Sequence, residues 1–190
     1  MLDHLNKKSI FLASKSPRRK ELFESLNLPF KIISSNVSED YPKQLDVMKI
    51  AEYLAKKKAD IFDVSADEIY ITADTTVVVN NQILNKPFNS NEAFEMLSLL
   101  SNNHHIVNSG VCIKTNVNSI VFTESTEVTF KSLSAEEINH YISNHNPYDK
   151  AGGYGIQDWI GKIGVNKIKG CYYNVMGLPL PTLYKYLLKL

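Results

Sequence analysis

The sequence predicts an α/β fold built on a mixed sheet. Two observations predict it: strand-like and helix-like hydrophobic periods alternate along the chain, and crossover units occur beside hairpin spacings. No repeat, low-complexity tract or Gly/Ser/Pro linker breaks the pattern, and 190 residues suit one domain, 1–190.

The elements follow in order. Ser9–Ala13 is a compact apolar run, a buried strand. Ser16 and Pro17 are an N-cap and a first-turn residue for a helix carrying Leu22, Phe23 and Leu26. Phe30–Ser34 is the next strand. A long helix then takes up Val47, Ile50, Ala51, Leu54, Ala55 and Phe62 at helical spacing. Strands 69–73 and 77–79 flank the polar triplet Asp74, Thr75, Thr76, and Asn80-Asn81 turns the chain into Gln82–Leu84. Asn89-x-x-Glu92 opens a helix that buries Phe94, Leu97 and Leu100. Strands 106–114 and 120–131 surround a turn at 115–119. The capping box Ser134-x-x-Glu137 starts a helix with Ile138, Tyr141 and Ile142. A glycine-rich loop, a short strand near 171–175 and a helix with Leu183, Leu187 and Leu188 complete the chain.

Composition excludes several classes. Twenty-one Lys and Arg against 20 Asp and Glu give a net charge of +1, which argues against a general grip on nucleic acid. No apolar run approaches the roughly 18 residues of a membrane span. The first eight residues lack the apolar core of a signal peptide, and Cys112 and Cys171 sit in apolar stretches as expected of buried reduced thiols. These features predict a cytoplasmic protein with no membrane or nucleic-acid partner.

Four constellations point to chemistry. Ser14, Lys15, Ser16, Pro17, Arg18 and Arg19 lie at a strand-to-helix junction, where free N–H groups and the helix dipole suit an anion such as phosphate. The alternative is a capped helix with two solvated arginines, although cations there oppose the dipole. Asp74 ends an apolar strand, the usual place for a metal ligand or general base in such sheets, or else it starts a turn. Lys58 falls on the apolar stripe of the long helix, so it either snorkels outward or meets an anion. Lys86, before Pro87, is either a partner to Asp74 across the hairpin or a plain loop lysine. Gly152, Gly153 and Gly155 allow unusual dihedrals and close approach of a ligand, or form a flexible turn. No P-loop, dinucleotide fingerprint, nucleophile elbow or zinc spacing is present.

Taken in order, Ala13 to Arg19, Ala73 to Thr75, Lys86-Pro87, Asp149 to Gln157 (DKAGGYGIQ) and Asn174 to Pro179 (NVMGLP) resemble the Maf family of nucleoside triphosphate pyrophosphatases, over residues 9 to 185. The resemblance implies the fold of the inosine triphosphatases, an elongated mixed sheet with flanking helices and a cleft between two lobes. It implies hydrolysis of a nucleoside triphosphate to the monophosphate and pyrophosphate with a divalent cation, Mg²⁺ or Mn²⁺. Carried over by position, Asp74 matches the proton acceptor and, with Glu39, a metal carboxylate. Ser14, Arg18, Arg19, Lys58 and Lys86 match phosphate-binding residues. Arg18, Thr75 and Gln157 match the specificity set of the dTTP/UTP enzymes rather than the 7-methyl-GTP sister group. A division regulator that binds nucleotide with little hydrolysis is the other reading. The sequence does not read out an oligomeric state; a homodimer, the commonest soluble oligomer, is compatible with it. The chain departs from the family at Thr72, Ser109 and Gly153, and Thr72 adds bulk beside Asp74.

Overall fold

The compact run Ser9–Ala13 forms β1, paired in parallel with β2 (Lys31–Ile33) on one side and β3 (Glu68–Val79) on the other. Strands buried on both faces read as continuous apolar runs, as this one does. In the computed structural model, which describes residues 2–190, a seven-stranded mixed sheet runs in the order β2-β1-β3-β5-β6-β7, with β5 at His104–Lys114, β6 at Ser119–Phe130 and β7 at Val165–Lys169. The short β4 (Gln82–Leu84) folds back antiparallel on β3, and β7 pairs antiparallel with β6. Asn80 and Asn81 between β3 and β4 take φ of 49° and 61°, the pair of positive values that a twist-matched hairpin turn requires.

Helix starts follow the local chemistry. Ser16 Oγ accepts from the Arg19 amide at 3.4 Å and Pro17 occupies the first turn of α1 (Pro17–Glu24). Asn89 caps α3 (Ser90–Leu100), and Ser134 with Glu137 closes a complete capping box on α4 (Ala135–His145). The remaining helices are α2 (Ile50–Asp60), α5 (Trp159–Gly164), α6 (Tyr172–Val175) and α7 (Leu180–Leu187).

Three expectations are corrected. The triplet at 74–76 does not divide two strands: β3 runs unbroken from Glu68 to Val79, paired with β1 over its first part and with β4 over its last, and bordered by β5 in the sheet. The strand expected near 171–175 is the helix α6, and the strand of this region is β7, whose edge pairing with β6 selects it despite its polar content. The long helix does not start regularly at Val47. Residues Val47–Lys49 form a 3₁₀ turn capped by Asp46, which accepts from the Met48 amide at 2.9 Å.

The chain divides into two compact units: the chain up to Asp74 with Ser109–Glu124 and Gly177–Leu190, and Thr75–Asn108 with Ser125–Met176. In the first, Leu12, Phe23, Ile71, Leu183 and Leu187 are fully buried, and α2 lies so close to β5 that a Cβ on Gly110 would sit 2.3 Å from the Ala51 carbonyl oxygen. In the second, α3 packs on α4 and α4 on α5 over a core that includes Leu97, Phe130, Ile138, Tyr141 and Ile160. Both cysteines are free. Cys112 is buried, which pushes its thiol up to about 11, whereas Cys171 is only half-buried, against expectation, because it precedes α6 rather than lying in a strand. Among the described residues no helix is long and apolar enough to cross a membrane.

Candidate functional site

The two-residue repeat of β3 puts Thr72, Asp74 and Thr76 on one face of the strand. In the first unit α2 meets that face through two polar contacts. Thr72 Oγ1 donates to the Ala55 carbonyl at 2.6 Å, and Lys58 Nζ donates to Asp74 Oδ1 at 2.5 Å. Thr72 therefore turns its bulk toward α2 and uses its hydroxyl there, instead of crowding the carboxylate.

Lys58 does not snorkel. Its ammonium also donates to Glu39 Oε1 at 2.7 Å, so one cation joins two carboxylates. The Lys58 and Asp74 side chains are 11% and 12% exposed, while that of Glu39 is 54% exposed. A buried ammonium is tolerable only when paired in this way.

Arg19, on the first turn of α1, donates from Nε to the Gly177 carbonyl at 2.7 Å and from Nη1 to the Ala73 carbonyl at 3.0 Å. It is half-buried and clamps the peptide immediately before Asp74. Burial draws its proton affinity below the ordinary arginine value, Asp74 opposes that, and the guanidinium remains charged. Ser14 is buried, and its Oγ accepts from the Ser16 amide at 3.2 Å, which fixes the turn into α1. Arg18, on the first turn of α1, is half-buried. The structure thus joins Glu39, Lys58 and Asp74 directly, with Arg19 one peptide away.

In the second unit Thr75 is half-buried, and Lys86 is exposed ahead of the buried Pro87. The glycine-rich loop closes on this segment: the Gly152 amide donates to the Asn85 carbonyl at 3.0 Å. Gly152 and Gly153 have φ of 69° and 71°, and a Cβ at Gly152 would lie 3.0 Å from Val77, so only glycine suits this passage. Gln157 ends the loop, half-buried, and its Oε1 is buried with no hydrogen-bond partner. Such an orphaned acceptor is costly unless something else completes it. Three residues before Gln157, Tyr154 Oη lies 2.7 Å from Nε2 of the distant His105 on β5; burial lowers the histidine to about 3 and raises the phenol.

The sequence assigned no role to the hydroxyls of Thr72, Thr76 and Tyr141. The alternation Thr-x-Asp-x-Thr on an otherwise apolar strand is a period-two signal, and it puts the three side chains on one face. Thr76 Oγ1 is buried without a partner, which marks it as a further polar group of that face. Tyr141 sits on the apolar stripe of α4, where its hydroxyl leaves no mark in the pattern.

Asp74 and Glu39 offer hard carboxylate oxygens. Among the described residues no group of three or more His, Cys, Asp or Glu is placed to hold a metal ion. Two carboxylates fit Mg²⁺ or Mn²⁺, which take one or two from the protein and the rest from phosphates and water.

A family model described as Maf-like protein matches residues 9–190. Relatives named dTTP/UTP pyrophosphatase include one from Parabacteroides distasonis, 46% identical with 97% of each chain covered. One from Flavobacterium johnsoniae is 46% identical over 97% of this chain and 96% of its own. A third, from Cytophaga hutchinsonii, is 48% identical over 96% and 84%. Among solved structures, a nucleoside-triphosphatase / dITP/XTP pyrophosphatase from Mycobacterium abscessus is 13% identical, covering 64% of this chain and 72% of its own, with a TM-score of 0.38.

Proposed function

The chain belongs to the Maf family, and on that premise we propose that it hydrolyses dTTP and UTP to the monophosphate and pyrophosphate. The observation that carries this reading is the buried Lys58 ammonium shared by Asp74 and Glu39, a charged constellation with no evident use to the fold alone. Names of relatives at 46–48% identity support the substrate pair.

The reaction forms a bond from a water oxygen to the α-phosphorus and breaks the bond from that phosphorus to the oxygen bridging to the β-phosphate. The leaving pyrophosphate keeps the electron pair. Asp74 accepts the proton lost by the water. Asp74 and Glu39 would hold Mg²⁺ or Mn²⁺, which when bound activates water and offsets phosphate charge. Lys58 supplies a fixed positive charge that an incoming phosphate shares with the carboxylates. Arg18, Ser14 and the N-terminal turn of α1 offer further donors to phosphate oxygens, and Lys86 offers another cation. Arg19 spends two of its five N–H donors on main-chain carbonyls, so part of its role is to hold the Asp74 peptide in place. Gln157 reads the base: its amide donates and accepts, matching the imide N–H and carbonyls that uracil and thymine share. Thr75 contributes to the same choice. Free thiols and a nucleotide substrate are in keeping with a cytoplasmic setting.

Pyrophosphate release measured over the canonical triphosphates and 7-methyl-GTP, with and without a chelator, tests this. We expect dTTP and UTP to lead and chelation to abolish turnover. Asp74→Asn should lower kcat by roughly 10²–10⁴, as loss of a general base does. Near-normal turnover by the Asn variant, or a preference for the methylated purine, would overturn the respective part.

A further inference from the structure

We propose that Tyr141 is a positioning residue for base recognition, acting through Asp158 and the Gly155 amide to hold Gln157 in its reading position. This deepens, and rests on, the reading of Gln157 given above. The argument begins with Tyr141 itself, which is fully buried on α4 and belongs to the core of the second unit. A phenylalanine would serve that packing, so its hydroxyl needs a separate reason.

The hydroxyl is used twice. It donates to Asp158 Oδ2 at 2.8 Å and accepts from the Gly155 amide at 3.1 Å. The Asp158 amide in turn donates to the Gly155 carbonyl at 3.0 Å, which closes a small ring of hydrogen bonds around residues 155–158. Gln157 lies inside that ring. A side chain at Gly155 could not enter it, because its Cβ would stand 2.5 Å from Asp158 Oδ2. Lys150, buried at the head of the loop, adds charge on the other side: its Nζ lies 3.7 Å from Asp158 Oδ2 and donates to Asp149 Oδ1 at 2.7 Å and the Asn146 carbonyl at 3.2 Å. Burial and the hydrogen bond to Asp158 both favour the protonated phenol, so the hydroxyl keeps the donor it needs.

The loop is thus fastened at both ends, by Gly152 to Asn85 and by Tyr141 to Gly155 and Asp158, while Gln157 Oε1 inside it makes no hydrogen bond. Rigid backbone around an unsatisfied polar group is the arrangement expected of a reader rather than of a structural glutamine. Base choice by hydrogen bonding depends on that rigidity, since a displaced amide discriminates less.

The test compares UTP with CTP, whose bases differ at the edge that an amide reads. Tyr141→Phe should raise KM for UTP about fivefold and, with CTP little affected, lower the UTP:CTP ratio of kcat/KM by about the same factor, with kcat falling far less, as loosening an oriented hydrogen bond does. Asp158→Ala, at a partly exposed residue outside the core, should lower the ratio as well, and Asp158→Asn, which keeps an acceptor for the phenol, should restore most of it. A Tyr141→Phe or Asp158→Ala enzyme that loses thermal stability while its UTP:CTP ratio stays within twofold would show a purely structural role and overturn the proposal. Gln157→Ala measured alongside separates the two levels. If it leaves the ratio unchanged, the base-reading assignment falls and the positioning role falls with it. If it collapses the ratio while the Tyr141 and Asp158 variants do not, only the positioning role fails.

Discussion

Replacing Lys58 with methionine isolates what its ammonium does. Methionine matches the length of the aliphatic stem and suits the apolar stripe of α2, so packing is largely preserved. What it removes is the partner of Asp74, whose side chain is only 12% exposed. Breaking a buried pair from one side costs about 3–5 kcal/mol; because Asp74 retains some contact with solvent, the lower figure of about 3 kcal/mol applies. For a chain of this size each kcal/mol moves Tm by about 2–4 °C, so a fall of roughly 6–12 °C is expected. Asp74→Asn alone should cost less, about 1 kcal/mol, because Lys58 keeps Glu39 at 2.7 Å. The double variant Lys58→Met with Asp74→Asn should recover most of the loss, since no unpaired charge is left inside. Thermal melts and urea titrations of the three variants close the cycle. A Lys58→Met protein as stable as the parent would refute the reasoning, because Asp74 would then not depend on the ammonium.

Two other perturbations test the frame around the site. Gly110→Ala forces a Cβ to within 2.3 Å of the Ala51 carbonyl and 2.4 Å of the Glu52 amide, so α2 must move off β5; stability should fall by about 3 kcal/mol and pyrophosphate release should fall with it, which a melt and an assay on one preparation would check. His105 gives a pH signature: its native pKa, near 3, lies below the unfolded value of 6.5, so the unfolded chain binds the extra proton and stability drains away from pH 6.5 down toward pH 3. Between pH 6.5 and 5 that site alone should cost about 2 kcal/mol, visible as the difference in urea stability between the parent and His105→Phe across the two pH values; parallel curves would dismiss it.

Much of this was legible in the residues. Ser134 with Glu137, Ser16 with Pro17, and Asn80-Asn81 each encode a local geometry that no tertiary contact overrides, so those element ends fall where their chemistry puts them. The position of Lys58 on a buried stripe already required either an escape to water or an anion. The identity of that anion was a tertiary fact, because Glu39 and Asp74 reach it from separate segments. The same holds for β7, whose two apolar residues give little strand signal until β6 lies beside it. Arg19 shows the opposite limit. Its sequence context suggested phosphate, yet two of its donors are taken by carbonyls of Ala73 and Gly177 that no motif reveals. Tyr141 is the plainest case, since a core stripe reads the ring and is blind to the oxygen.

The unbroken run of β3 through Asp74 has a dynamic consequence. A carboxylate carried on a loop would have to be immobilised each time a ligand arrives, with the entropy of that ordering subtracted from the affinity. Here the backbone is fixed by the sheet, the preceding carbonyl by Arg19 and the side chain by Lys58, so the ordering is completed once, when the chain folds. Binding energy from a triphosphate is then free to displace charge partners rather than to freeze the protein. The main-chain amides around Asp74 should accordingly exchange with solvent as slowly in the free protein as in the liganded one.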